Sequence, residues 1–359
     1  MISDNLYTMA FKFRKKRVWD TIGNVHVFAI KFSDRTIGYT NITHSSNGLY
    51  SLGLYLGDKG FNSLRTIIEL DRLLISPFSP FKFQEMILQQ ECLKCIFVTK
   101  NQLLEEELNE IKNYTNSHGI RLSGKNAYPQ FIKYIPNHIP FTSLTDQEQK
   151  YLCEALSASV ALTDMIEGGI VSLSEITEIS DDSKEIFSME LKDDEFRIGK
   201  VPYPELLTPQ YPCPKARNDI AIARLKREKK IGIWECELIR FPRPIQNNPE
   251  EIPFYPVYLI AVECSTGYFL PILPVQDYEE DPEKLMNLFI DTFLEQKICP
   301  AEIKVRDKRS YLFAEDLCQK LKIPLNMENS LKALEETEFE FWNRFGIPNE
   351  EDDSSNTLQ

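Results

Sequence analysis

The chain is poor in the residues and motifs that usually announce a chemistry. Histidine occurs only four times (His26, His44, His118 and His138), never at the i, i+4 spacing of helical metal ligands. The G-x-S-x-G elbow of serine hydrolases, the G-x-x-x-x-G-K-[ST] phosphate loop and the G-x-G-x-x-G dinucleotide loop are all missing. Their absence excludes hydrolysis at such an elbow and nucleotide-phosphate binding by those loops. No run of eighteen apolar residues occurs, which excludes a transmembrane helix, and no membrane partner is expected. Met1-Ile2-Ser3-Asp4-Asn5 has neither the basic start nor the apolar block of a signal peptide, so a cytoplasmic location is expected.

What is present is ordinary globular material. At 359 residues, 42% hydrophobic and 11% aromatic, the chain is long enough for about two domains with real cores. The net charge of −13 is unevenly spread. Glu167 to Arg197 holds ten acids against three bases, and Glu350-Glu351-Asp352-Asp353 adds four more acids. Those two segments account for most of the excess, leaving the folded bodies nearly neutral; acidic runs of this kind solvate loops and tails. The eight cysteines are scattered through apolar surroundings and read mostly as small core residues. Cys92-Leu93-Lys94-Cys95 is a C-x-x-C, but no second pair lies at zinc-ribbon spacing and it leads into Ile96-Phe97-Val98. A buried strand is the plainer reading than a redox or zinc site, and no metal is expected.

Periodicity divides the chain. Leu6 to Arg17 predicts an amphipathic helix, followed by strands over Val25 to Phe32, Ile37 to Thr43 and Leu49 to Leu56, with turn residues between them as an antiparallel meander requires. Helices are predicted from Phe61 and over Leu103 to Tyr114, and a long one to about Met165 behind the start signal Ser143-Leu144-Thr145-Asp146. Phe187 to Leu191 and Phe196 to Val201 read as a hairpin. Pro202, Pro204, Pro209, Pro212 and Pro214 then mark a boundary that no helix or central strand would tolerate. Beyond it, strands are predicted over Ile220 to Leu225, Ile231 to Ile239 and Val257 to Val262, with a further one opening at Tyr268-Phe269-Leu270. A helix through Leu285, Phe289 and Phe293, a strand over Ile303 to Val305 and a helix through Phe313, Leu317 and Leu321 follow. Such alternation implies parallel strand pairs covered by helices. The expectation is a mixed α+β and α/β protein: an N-terminal α+β domain (1–205) built on an antiparallel meander with helices, a proline-rich linker (206–217), a C-terminal mixed-sheet domain (218–348) and an acidic disordered tail (349–359).

Val18-Trp19-Asp20, Phe28-Ala29-Ile30, Ile37-Gly38-Tyr39, Leu52 to Gly57, Pro129-Gln130-Phe131 and the Tyr134-Ile135-Pro136 segment form one set of motifs, and Pro300 to Val305 with the helix–strand–helix after it forms another. In these two parts the chain resembles bacterial domains of unknown function that occur together. Some relatives have a Cys/His zinc-binding tail; after Phe345 this chain has neither residue, so that metal is not implied. The likeness implies a domain division and no activity.

The second half also resembles a ribonuclease H-like fold, as in integrase cores. That resemblance implies carboxylates on the first strand, the fourth strand and a late helix, holding two divalent ions against a phosphodiester; magnesium would be the cofactor only in that case. The matching acids would be Glu235 or Glu237, Asp307, and Glu335, Glu336 or Glu338, while a second register selects Glu263. Two points weigh against chemistry: a glutamate stands where the family usually has aspartate, and the register is open. The plainer reading is surface carboxylates. Basic clusters lie at Lys12 to Arg17, at Arg224 to Lys230 (Arg224, Lys226 and Arg227 among them), and at Lys304, Arg306, Lys308 and Arg309. The first complements a helix C-terminus; the last two would form a nucleic-acid patch if they converged on one rim. The leading expectation is therefore a non-catalytic interaction or regulatory module, its partner unidentified, with a protein as the candidate. The alternative is a metal-dependent nuclease, or a degenerate relative that binds nucleic acid.

Overall fold

A computed structural model describes residues 2–45, 48–73, 80–179, 184–276 and 278–345. The acidic tail expected over 349–359 lies outside them. The chain forms two compact units, and neither is a single stretch of sequence. Among the described residues, 80–88 and 137–139 belong to the second unit, with those from Thr208 onward, and the rest form the first.

The first unit opens with α1 (Asp4–Lys16) and the antiparallel run β1 (His26–Lys31), β2 (Ile37–His44) and β3 (Tyr50–Leu56), close to the predicted spans. α2 (Gly57–Leu73) follows; α3 (Pro80–Leu88) comes next in the chain but belongs to the second unit. β4 (Cys92–Val98), α4 (Glu105–Ser117), β5 (Tyr128–Tyr134), α5 (Asp146–Glu167), β6 (Thr177–Glu178), β7 (Glu185–Lys192) and β8 (Glu195–Pro202) complete it. The sheet runs β5-β4-β3-β2-β1-β7-β8, with β6 beside β1. It is an antiparallel meander except where β7 joins β1 in parallel. Alternation along the strands sends Phe28, Ile30, Leu52, Leu54 and Phe97 against α1 and α5, and Val27, Ala29, Tyr39 and Tyr55 against Phe61 and Leu64 of α2. The same alternation separates the C-x-x-C: Cys95 lies in the first of these cores and Cys92 in the second. Burial raises the Cys92 thiol to about 11 and raises that of Cys95 further, so neither is a ready nucleophile. The Thr145 hydroxyl accepts the Glu148 N–H, while the Glu148 carboxylate accepts the Thr145 N–H in return. This capping box starts α5 where the sequence signal put it.

The second unit corrects two expectations. Ile220 to Leu225 is helical, not a strand: α6 spans Asp219–Leu225. The Asn218 side chain caps it by accepting the Ala221 N–H, and the buried residues are Ala221, Ile222 and Leu225 while Ile220 is 76% exposed. That is a helical stripe, not a period of two. Tyr268-Phe269-Leu270 does not open a strand. Only isolated bridges, Val262 to Phe269 and Val257 to Val275, join this segment to its neighbour, because Pro271 and Pro274 have no N–H for a continuous ladder. The regular elements are β9 (Lys229–Arg240), β10 (Val257–Glu263), α7 (Pro282–Glu295), β11 (Ile298–Val305), α8 (Lys308–Leu321), β12 (Leu325–Met327) and α9 (Lys332–Phe345). Sheet order is β10-β9-β11-β12. β9 and β10 are antiparallel, and β11 is parallel to both β9 and β12.

Both faces of this sheet are covered. Trp234, Cys236 and Leu238 of β9, with Leu259, Ala261, Ile303 and Val305, pack on α6, α7 and α8. Ile239, Tyr258, Ile260 and Val262 face α3 and α9 through Phe81, Leu331 and Leu334. Each large apolar side chain so buried contributes about 1.5–3 kcal/mol, which explains why the strands hold against their charged neighbours.

Candidate site on the second sheet

β9 carries two acids on the face that also holds Ile239, because Glu235, Glu237 and Ile239 alternate with the core residues Trp234, Cys236 and Leu238. Parallel pairing sets Lys304 of β11 beside Glu235, so Arg306, two residues on, reaches the level of Glu237. α9 crosses the same face, and its period brings Leu334 and Glu338 inward together. The outcome is one guanidinium between two carboxylates. Arg306 Nη2 lies 2.5 Å from Glu237 Oε2 and 2.6 Å from Glu338 Oε1. The acids are 2% and 3% exposed. Glu335, half exposed, approaches the outer edge of the guanidinium at 3.5 Å. With both inner acids ionised the buried trio would carry one net negative charge. Burial accordingly pushes the Glu237 carboxyl up to about 8, outweighing the attraction of Arg306, and Glu338 pushes it the same way.

The other acids have separate tasks. Glu235 accepts the Leu334 N–H at 2.8 Å, fixing the first turn of α9, and is reached by the Cys264 thiol at 3.5 Å. Glu263 accepts the backbone and hydroxyl groups of Ser265 and Thr266. Burial would raise its carboxyl, but these hydrogen bonds outweigh it and hold the group below its ordinary value. Asp307 caps α8, accepting the Ser310 N–H at 2.8 Å and the Ser310 hydroxyl at 3.1 Å. Glu336 faces solvent. Among the described residues no three Asp, Glu, His or Cys side chains are arranged to hold a metal ion. The side chains at this position do not fit a divalent ion, since a cationic guanidinium already stands between the two acids that would ligate it.

The basic residues do not gather. Arg224, in the last turn of α6, and Lys226 and Arg227, in the turn from α6 into β9, are exposed, whereas Arg306, Lys308 and Arg309 follow the far end of β11. With Ile298 opposite Lys229 and Lys304 opposite Glu235, the two clusters are separated by at least six residues along the strands, about 20 Å. Lys308 is exposed. Arg309 is buried, pairs with Glu85 of α3 at 2.5 Å and stacks 5.4 Å over the Tyr278 ring. Glu279 approaches it at 3.8 Å and also pairs with buried Arg240. Sequence reasoning missed these partners, because Glu85 lies more than two hundred residues from Arg309 and no local pattern links them. Of the three α9 acids the sequence offered, Glu336 and Glu335 are exposed and only Glu338 turns inward, on the same side of the helix as Leu334.

The cap gives a direct test of Asp307. Asp307→Ala is expected to cost about 1 kcal/mol of stability in a urea titration, the usual worth of an N-cap side chain. A loss several times larger would mean that Asp307 also holds something beyond α8.

The fold and site define an α+β protein of two mixed-sheet units, with a buried carboxylate–guanidinium trio in the second. The chain belongs to the family of the domain of unknown function DUF7309, whose model matches residues 4–185. A second domain of unknown function, DUF6930, matches residues 221–342. No curated protein matches the chain.

Proposed function

We propose that the second unit is a degenerate ribonuclease H-like module, and that the protein works without catalysis, as an interaction or regulatory module in the bacterial cytoplasm. The strand arrangement supports the shape: an antiparallel pair, β10 and β9, followed by the parallel strands β11 and β12 with helices between. The observation that carries the loss of chemistry is Arg306, seated between Glu237 and Glu338 at 2.5 and 2.6 Å. In the active fold, carboxylates on the first strand and last helix hold metal ions. Here the positive charge those acids require comes from the protein itself, in a form that can neither polarise a phosphate oxygen as a Lewis acid nor activate water. The bacterial assignment follows the resemblance of the two domains, and the cytoplasmic one is supported by the free thiols of Cys92, Cys95, Cys236, Cys299 and Cys318, which are buried as packing groups.

The test is a cleavage assay of the full chain with magnesium and with manganese, on single-stranded DNA, duplex DNA and an RNA–DNA hybrid. No cleavage is expected with either ion. Metal-dependent cleavage that disappears in Glu237→Gln, with the fold intact, would overturn the reading.

A further inference from the structure

The first unit has a groove that no part of this reading uses. α1 presents Thr8, Phe11, Lys12 and Lys15 on one stripe, at i, i+3, i+4 and i+7, while Leu6, Ala10 and Phe13 face the core. Together with Trp19, Tyr50 and the end of α4 this stripe walls an open groove of about 840 Å³. Lys12, Arg14, Lys15, Arg17 and Arg121 line it, and among the described residues no Asp or Glu does, in a protein whose net charge is −13. Arg14 is committed to the Ser123 carbonyl and the Tyr50 hydroxyl, and Arg17 to Asp20. Lys12, Lys15 and Arg121 are exposed and have no ion-pair partner among the described residues.

Between the cations lie flat rings. Trp19 stacks on Tyr50 with centroids 3.9 Å apart, and Tyr114 stacks on His118 at 4.2 Å and on Phe11 at 5.9 Å. Phe11, Trp19 and Tyr50 are half-buried and His118 is exposed, so the rings are not sealed in the core. We propose that this groove binds single-stranded nucleic acid, with the phosphates along Lys12, Lys15 and Arg121 and the bases against the aromatic wall. Unpaired cations set among accessible rings are the combination by which proteins hold single strands without reading sequence. A duplex hides its base faces inside the stack and would leave the rings without contacts. An acidic peptide would satisfy the cations but has no flat π-face for the rings. A mononucleotide is a poorer match, because nothing here cradles a terminal phosphate. Gly119 to Lys125 has the G-x-x-x-x-G-K spacing, yet Asn126 follows and the chain continues into β5 instead of a helix.

Fluorescence anisotropy of labelled dodecamers of thymidylate and uridylate, titrated with the full chain at 50 mM NaCl, tests this. Binding is expected to weaken with salt at a log–log slope of about −2, the value for roughly three neutralised phosphates on a single strand. The triple variant Lys12→Glu, Lys15→Glu, Arg121→Glu is expected to lose at least about tenfold in affinity while its circular dichroism is unchanged; the Gln version loses less. Arg224→Glu, Lys226→Glu, Arg227→Glu, on the other unit, is expected to bind as the parent does. The proposal is overturned by absence of binding at low salt, by binding that the first triple variant leaves intact, or by binding that moves only with the second. Displacement by polyglutamate as effective as that by unlabelled oligonucleotide would overturn it in favour of an acidic-peptide site.

Discussion

Arg306→Ala is expected to destabilise the protein by about 3–5 kcal/mol, the cost of breaking a buried ion pair from one side, because it removes the guanidinium that stands between the buried carboxyls of Glu237 and Glu338. The loss should depend on pH. In the parent, Glu237 titrates at about 8 in the folded state against an ordinary 4.5, so between those values the folded protein holds a proton that the unfolded chain does not. Its contribution is fully present below about 4.5 and declines as pH rises towards 8, by at most about 1.4 kcal/mol per pH unit. Without Arg306 the carboxyl rises further, so the penalty should be larger at pH 9 than at pH 6. Glu338→Gln makes the opposite change: one acid and one guanidinium remain, Glu237 moves down, and the pH slope flattens. Urea titrations of the parent and both variants at pH 6 and 9 read all of this. An Arg306→Ala loss independent of pH would sink the account.

Arg306→Ser is expected to turn the trio into a cation-binding pair. The two carboxylates stay on their strand and helix, and the vacated guanidinium volume can admit a divalent ion with water. Manganese at a hundred times its dissociation constant would then restore about 2.7 kcal/mol to the variant by mass action and nothing to the parent. Thermal shift with and without the ion measures it. Equal shifts in the two proteins would show that the ion binds elsewhere, and that Arg306 does not stand where a metal would.

The fold was largely legible because its signals are local. Alternation in β1 to β3, the capping signal at Thr145 and the apolar stripes of α7 and α8 each sit within a few residues of what they determine. The misread elements were those where two local patterns coincide. Ile220 and Ile222 look like an alternating strand, and only the Asn218 cap and the Leu225 spacing reveal α6. The site was legible in part. Glu237 and Glu338 were among the acids that the resemblance pointed to, but that Arg306 holds them depends on register across β9, β11 and α9, which no sequence window contains. The groove stayed hidden for another reason. Lys12 to Arg17 complement the dipole of α1 whatever else they do, and their distance from Arg121 in the chain conceals a shared surface.

The membership of α3 in the second unit has a consequence for how the protein is made. Phe81 packs against Phe341 and Trp342, and Glu85 pairs with Arg309. These partners leave the ribosome more than two hundred residues later, a delay of roughly 10–50 s at ordinary elongation rates. Until β9 and β10 have also been made, Phe81 has none of the neighbours it packs on in the second sheet, so the nascent chain carries an uncovered aromatic side chain. For the same reason a recombinant fragment beginning at Thr208 would expose the apolar surface that α3 covers, and would be expected to aggregate unless residues 80–88 were supplied as a peptide.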